Sequence, residues 1–425
     1  MSLQRKLIKN FLSVGSLKMI SLGLGFITSI ILARTLGVEV FGQYSFIMSL
    51  VPLLALPIAA GVPQLLTREI AGYVKEKQWG LFKGIITSAY KWVFFVSAVL
   101  FVLYLIAKLF NWVPETGRWA VFPYALVLVL LSGLNRVRMG IMRGLKAPFL
   151  ASLPEMLVLP VLLLLFMVVL LGLDKLNLHA AMTAQVCAAT VSFIAAAYLL
   201  LKVFPQNVKS KKTEQENRKW LLALLPFTLI QAISVFNINM GTVLVGLMSH
   251  DAEVSAMRVA ERISQLISLP LLITNLVIAP HIVDAWKSQD KNRLQQLARK
   301  SAKANCVLSL PIALPFIFWG KELISLVYGA DFSIAAQPLM VLTIAQLFNV
   351  FCGSVGMLMM MSGHEKYTLR AQIVAVIFNI VISVVLIPFW GSTGAAIGVA
   401  SGLVIWNVLL SLSVRKHLKI RPSAI

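Results

Sequence analysis

Two arginines and one glutamate stand close together inside an apolar part of the sequence. Arg258, Glu261 and Arg262 are spaced at i, i+3 and i+4, so a helix would bring them to one face. They fall between the apolar run 220–248 and a second run that extends to residue 283. Ionisable side chains at membrane depth are costly and usually face a protein interior or a water-filled cavity. The cluster therefore predicts a cationic cavity wall that holds an anionic ligand.

A second interpretation of this cluster is compatible with the sequence. Arg258 is only about one turn from the predicted end of its span, and long cationic side chains at such positions often extend outward to the interface. Glu261 is compatible with two roles. It can simply neutralise the arginines, or it can carry a coupling ion, H⁺ or Na⁺, as intramembrane acids do in pumps.

The composition shows what kind of protein must position these residues. Of 425 residues, 59% are hydrophobic and 13% are charged, and the mean hydropathy is +0.86. A soluble globular chain would have about 25% charged residues. The composition therefore predicts an all-α polytopic membrane protein. The net charge of +22 would suit nucleic acid, but the positive residues are placed as a topology signal, so no nucleic-acid partner is expected.

Apolar stretches long enough to cross about 30 Å of hydrocarbon recur along the whole chain and predict about twelve transmembrane helices. The predicted spans are 11–33, 41–66, 84–107, 119–135, 150–172, 179–201, 220–248, 254–283, 304–320, 335–361, 370–390 and 393–414. Alternate connections hold most of the Lys and Arg residues, among them Arg136 and Arg138 after the fourth span. The positive-inside rule then predicts that both termini are cytoplasmic.

A charged stretch near the middle of the chain divides these spans into two sets of six. It reads K-S-K-K-T-E-Q-E-N-R-K and has few apolar residues to bury, which is typical of a flexible linker. The predicted organisation is an N-terminal lobe at 1–205, a cytoplasmic linker at 206–219 and a C-terminal lobe at 220–425. Two parallel six-helix repeats are common among transporters.

Glycines inside the spans indicate close packing between helices, and prolines indicate places where a helix is interrupted. Gly394, Gly398 and Gly402 form a G-x-x-x-G-x-x-x-G pattern, which permits close helix packing. Prolines in the second and eighth spans predict kinks there, because proline removes a helical hydrogen bond. The three cysteines fall in apolar runs and the five histidines are scattered, so the sequence predicts no catalytic residues, no metal site and no bound cofactor.

Several segments are similar to signatures of one family of transporters. The stretches A-R-T-L-G-V-E-V-F-G-Q-Y-S at 33–45 and G-V-P-Q-L-L-T-R-E-I at 61–70 resemble the ends of the first two spans of polysaccharide flippases. Y-G-A-D-F-S-I-A-A at 328–336 and I-P-F-W-G-S-T-G-A-A-I at 387–397 resemble their late spans. The chain is thereby identified as a member of the polysaccharide transporter branch of the multidrug/oligosaccharidyl-lipid/polysaccharide (MOP) superfamily, with the Wzx-type O-antigen flippases.

The resemblance implies a MOP flippase fold, a V-shaped molecule of two six-helix lobes around a cavity that opens alternately to the two sides. It implies an oligosaccharide on undecaprenyl diphosphate as substrate, and a bacterial cytoplasmic (inner) membrane location. Membrane lipids and the polysaccharide polymerase machinery are the implied partners. The A-E-R at 260–262 resembles the start of span 8 in the lipid II flippase, whose arginine lines the cavity, so Arg262 inherits that role. Lys18 falls where that relative's first span is cationic.

The predicted substrate-binding residues are therefore Arg258 and Arg262 from the second lobe and Lys18 and Arg34 from the first, with Glu261 for coupling. Arginine suits a diphosphate because its planar fork binds two oxygens at once. For Arg34, a role as an interfacial anchor is equally compatible. Two other classes stay open. A drug or metabolite exporter of the superfamily would favour acidic cavity residues, and a membrane polysaccharide polymerase, ligase or glycosyltransferase would need a sizeable outer loop.

Overall fold

The computed structural model describes the backbone of residues 3–205 and 212–421, and the side chains from residue 15 onward within those ranges. The described chain is built from helices and contains no strand. Its first helices are α1 (Leu3–Leu54), α2 (Leu56–Ala59), α3 (Val62–Glu76), α4 (Trp79–Leu109), α5 (Phe122–Gly144), α6 (Pro148–Leu153), α7 (Leu159–Gly172) and α8 (Leu178–Val203). The others are α9 (Asn217–Met248), α10 (Asp251–Ile267), α11 (Leu269–Lys287), α12 (Lys291–Phe318), α13 (Gly320–Tyr328), α14 (Ala336–Cys352), α15 (Val355–Met361) and α16 (Glu365–His417).

Two of the long helical segments each contain two membrane crossings. The described chain has ten segments long and apolar enough to cross a membrane, one of them Gly15–Glu76. At about 1.5 Å per residue a straight helix of that length would measure roughly 90 Å, three times the hydrocarbon thickness. Gly37 in α1 (φ 75°) and Gly391 in α16 (φ 51°) break the helical conformation. Counting each of these two segments as two spans gives twelve, so the predicted all-α polytopic fold is confirmed.

The glycine pattern in α16 is where the two halves of that helix pack together. A Cβ atom on Gly394 would collide with the backbone of Leu386, and one on Gly402 would lie 2.8 Å from the carbonyl oxygen of Ala375. Gly398 lies between these two close approaches. The contact positions run backward along the sequence as the glycines run forward, which is the geometry of an antiparallel pair. The predicted packing role of the three glycines is confirmed.

Both predicted proline-bearing spans are interrupted. In the eighth span, α10 ends at Ile267 and α11 begins at Leu269, with Pro270 in its first turn. The second span continues from α1 through α2 into α3, and Gly61 adopts φ 73° just before α3. Proline lacks the amide that would continue the preceding helix, so it is tolerated at such a first turn.

The predicted fourth span, 119–135, ends too early. Helix α5 continues to Gly144, so Arg136 and Arg138 lie inside it and the assignment of these two arginines to a connecting loop is wrong. Arg138 is fully buried, and its Nη2 donates to the Ala151 carbonyl at 3.0 Å. The predicted span ended at the first charged residue. In the structure the helix continues, because the buried guanidinium of Arg138 donates hydrogen bonds to acceptors within the protein.

The chain forms two compact units that exchange short segments. Unit 1 contains Met1–Leu36 and Ile47–Val235, and unit 2 contains Gly37–Phe46 and Phe236–Ile425. The start of the second span therefore belongs to unit 2, and the first half of α9 belongs to unit 1. The sequence-based division at 205 and 220 does not include this exchange. Residues 206–211 of the predicted linker lie outside the described residues.

Candidate functional site

Helix α10 carries the predicted charged cluster within unit 2. With 17 residues, five of them charged, it is not among the ten membrane-crossing segments of the described chain. Its residues are nevertheless largely buried, with Val254, Met257, Ala260 and Ile263 among them. The helix packs against α14, α16 and the 3₁₀ turn Ala330–Ala335. A polar helix packed on several sides holds its charges inside the protein, where they need partners or ligands.

The carboxylate of Glu261 is fixed from two directions. Its Oε2 accepts a hydrogen bond from Thr242 Oγ1 on α9 at 2.9 Å, and Arg258 Nη1 lies 3.4 Å away as donor and ion-pair partner. The exposed fractions of the Arg258 and Glu261 side chains are 27% and 12%. Gly241 leaves room for this arrangement, because a Cβ there would lie 3.3 Å from Glu261 Oε1.

Arg262 gives the cluster a surplus positive charge. In the described part of the chain, the ion pair of Glu261 is made with Arg258, and Arg262 makes none. Two buried tyrosines, Tyr44 and Tyr328, lie within electrostatic range of Arg262. Two guanidinium groups, one carboxylate and nearby phenols form a partly buried site that suits an anion with several oxygens.

Tyr44 reaches this site because the exchanged segment Gly37–Phe46 packs onto the first turns of α10. Ser255 Oγ donates to the Val38 carbonyl, and a Cβ on Gly42 would collide with the backbone of Asp251. Neither Tyr44 nor Tyr328 was predicted as a site residue. They are distant in sequence from α10, and the signal that could have marked them is that both lie in family-like stretches, 33–45 and 328–336.

A further carboxylate near the start of α10 has a structural partner. Glu253 Oε2 accepts the backbone N–H of Ser392 at 2.7 Å, immediately after the break at Gly391. It therefore caps the second half of α16, since amides at a helix start lack intrahelical acceptors. Sequence reasoning missed this contact, which joins two predicted connections, one just before the eighth span and one between the last two spans.

The other two predicted site residues lie on α1 in unit 1. Lys18 and Arg34 are both exposed, and Arg34 comes three residues before the break at Gly37. The structure thus groups Arg258, Glu261 and Arg262 in one unit and Lys18 and Arg34 in the other. A single site formed by all five residues stays a prediction.

The sequence matches two family models. The model described as polysaccharide biosynthesis protein matches residues 7–286, and the model described as MatE matches residues 226–385. A similar curated protein is the "Probable low-salt glycan biosynthesis flippase Agl15" of Haloferax volcanii, 21% identical over 201 residues. That match covers 47% of this chain and 42% of the relative, so it spans less than half of the relative's length.

Solved structures of transporters share the fold. An inward-facing multidrug resistance MATE family transporter of the MOP superfamily aligns with a TM-score of 0.76 and 15% identity, covering 97% of this chain and 98% of that one. The lipid II flippase MurJ, in an inward closed conformation, aligns with a TM-score of 0.75 and 14% identity, covering 95% and 87%. At these identities the likeness concerns the fold. Since the first family model covers about two thirds of the residues, the chain belongs to the polysaccharide biosynthesis protein family, with the multi-pass membrane fold of the MOP superfamily.

Proposed function

We propose that this protein is a flippase that moves an oligosaccharide linked to undecaprenyl diphosphate across the bacterial cytoplasmic membrane by alternating access. The observation that carries the proposal is the surplus positive charge of Arg258, Glu261 and Arg262 on the packed helix α10. The family match and the similarity to a glycan biosynthesis flippase support a transported lipid-linked glycan.

The chemistry of such a substrate explains why a cationic interior is needed. A diphosphate and sugar hydroxyls would lose their water in hydrocarbon, at a cost of several kcal/mol for each unpaired group. Arginine replaces that water with two parallel hydrogen bonds to phosphate oxygens. In the proposed site, Arg262 binds the diphosphate directly while Glu261 orients Arg258. Lys18 and Arg34 add positive charge from unit 1, and Glu261 is the proposed carrier of the coupling ion, H⁺ or Na⁺.

A second candidate is an exporter of drugs or metabolites. The MatE match at 226–385 and the similarity to a MATE family transporter favour it. Both candidates are transporters, so neither requires the catalytic residues of an enzyme. The sign of the cluster separates them, because an exporter of cationic compounds would need an acidic site, whereas α10 presents two arginines for one glutamate.

The flippase proposal is tested by transport of a defined substrate. The purified protein is placed in vesicles with a fluorescent oligosaccharide on undecaprenyl diphosphate, and the substrate that reaches the opposite leaflet is measured by a sugar-cleaving enzyme added outside. We expect protein-dependent movement, and restored surface polysaccharide when the gene is supplied to a strain that lacks its own flippase. Absence of lipid movement, together with export of a cationic dye by the same vesicles, would favour the exporter.

The proposed orientation, with both termini in the cytoplasm, has a separate test. Cysteines replace Lys291 and Asn177 singly in a chain whose three native cysteines have been changed to serine. A membrane-impermeant thiol reagent added to whole cells should label the variant at Asn177 and leave the variant at Lys291 unlabelled. The reverse pattern would invert the topology.

A further inference from the structure

A cavity in unit 1 lies apart from the sequence-predicted residues. It has a volume of about 430 Å³, which is within the usual range for small-molecule sites. Its walls come from α3, from the first half of α4 and from the first turns of α9. Leu65, Ile85 and Trp220 are among the apolar side chains that line it. The cavity is large enough for part of a lipid chain, and its apolar walls would exclude a sugar head.

One end of this cavity is polar and positively charged. Ser88 Oγ donates to Asn217 Oδ1 at 3.0 Å, which joins α4 to the start of α9. Lys91 lies one turn further along α4 and is the one charged side chain among the described residues that line the cavity. Lys91 is exposed and follows Ser88 by three residues, so the two side chains share one face of α4. The rim therefore combines one cation with the neutral polar groups of Ser88, Asn217 and Gln215.

The apolar part of the cavity opens through residues that are exposed on the membrane-crossing helices. Phe95 and Leu221 line the cavity with exposed fractions of 62% and 58%. Trp92 stands beside them, and its Nε1 donates to the Pro57 carbonyl at 3.0 Å, which fixes the ring at the opening. Exposed aromatic and aliphatic side chains on such helices face lipid. The cavity is thus accessible to a molecule that is already in the bilayer.

We propose that this cavity binds one anionic glycerophospholipid, with an acyl chain between α3, α4 and α9 and the phosphate at Lys91. Charge complementarity selects this lipid, since a phosphodiester carries one negative charge and the rim offers one cation. A diphosphate carries more charge and suits the two arginines of α10 better. With the proposed topology, the rim faces the cytoplasmic leaflet, where anionic lipids attract cationic residues.

Binding at this place would stabilise the part of α9 that belongs to unit 1. The cavity contacts α9 at Asn217, Trp220 and Leu221, and the same helix continues into unit 2 after Val235. Trp220 is also held by its Nε1, which donates to the Tyr73 hydroxyl at 2.9 Å. An anionic lipid in the cavity would add contacts to this segment and raise the thermal stability of the whole protein.

The proposal is tested by native mass spectrometry of the full chain titrated with phosphatidylglycerol or phosphatidylcholine in detergent. The wild type should retain one phosphatidylglycerol, and its melting temperature should rise with that lipid more than with phosphatidylcholine. Lys91→Gln should weaken phosphatidylglycerol binding about fivefold, the effect of one interfacial cation. Lys91→Arg should restore binding, and Ala89→Trp, which fills the cavity and keeps Lys91, should abolish it.

Lys108→Gln is the matched control, because Lys108 is an exposed lysine at the other end of the same helix. It should retain the lipid as the wild type does. Equal retention of phosphatidylglycerol by Lys91→Gln and the wild type would overturn the proposal. The proposal would also fail if the wild type retained phosphatidylcholine as well as phosphatidylglycerol, because the net charge of the lipid would then not determine binding. Displacement of bound phosphatidylglycerol by equimolar undecaprenyl phosphate would also overturn it, and would assign the cavity to the transported lipid.

Discussion

Arg138 in unit 1 and Arg262 in unit 2 are both arginines in helices packed inside the protein, and their surroundings differ. The donors of Arg138 are matched by protein acceptors, namely Asn135 Oδ1 at 3.3 Å, Met142 Sδ at 3.2 Å and the Ala151 carbonyl at 3.0 Å. Arg262 belongs to a cluster of two guanidinium groups and one carboxylate, and the carboxylate of Glu261 forms its ion pair with Arg258. An arginine supplied with protein acceptors serves stability, whereas an arginine in surplus is available to a ligand.

The largest effect is expected from Arg138→Ala. The change leaves a cavity in the interior and removes the donor of the buried Ala151 carbonyl, so it should destabilise unit 1 by about 3 kcal/mol or more. The measurement is the amount of folded protein in membranes, with the melting temperature of what remains. Lys108→Ala, which truncates an exposed lysine, is the control and should leave both unchanged. A variant at Arg138 that folds normally and has lost only transport would show that this arginine is a ligand-binding residue.

Arg262→Ala should reduce transport and leave stability unchanged, which is the reverse of the effect of Arg138→Ala. We expect normal folding and a loss of transport of about tenfold or more, since a charge-assisted contact to phosphate is lost. Arg262→Lys should recover part of the activity because it keeps the charge and loses the planar fork. Initial rates in substrate-loaded vesicles measure both variants. If Arg262 extends to the interface and binds no substrate, both variants will transport at the wild-type rate.

Glu261→Gln separates the two roles of the carboxylate in this cluster. If Glu261 carries the coupling proton, as we expect, the pH dependence of transport should flatten in the variant, because the amide does not titrate. Thr242→Val is the matched control, since it removes the hydrogen bond to Glu261 and keeps the carboxyl group. It should lower the rate and preserve the shape of the pH profile. A parallel decrease at every pH in Glu261→Gln would identify a neutralising role instead.

The spans and the charged cluster could be predicted from the sequence because their signals are local. The length of each apolar run predicts a span. The spacing of Arg258, Glu261 and Arg262 places these three residues on one face of a helix. Local spacing could not place Tyr44 beside them, because its position depends on the packing of Gly37–Phe46 in unit 2. Arg138 was misplaced for a related reason. Its acceptors are brought together by the fold, and the sequence alone shows only a charge at the end of an apolar run.

The smallest effect is expected from Glu253→Gln. This variant applies the distinction between Arg138 and Arg262 to a carboxylate that is already bonded within the protein. Glu253 lies on the same helix as Arg258, but its oxygen already accepts the Ser392 amide at 2.7 Å. The glutamine oxygen can still accept this bond without the charge, so stability should fall by about 1 kcal/mol or less. Transport should stay near the wild-type rate, because the donors at Arg262 are unchanged. A small shift in melting temperature with normal transport is the expected result. A loss of transport as large as that of Arg262→Ala would mean that a carboxylate already bonded within the protein also serves the substrate, and the distinction drawn between Arg138 and Arg262 would fail.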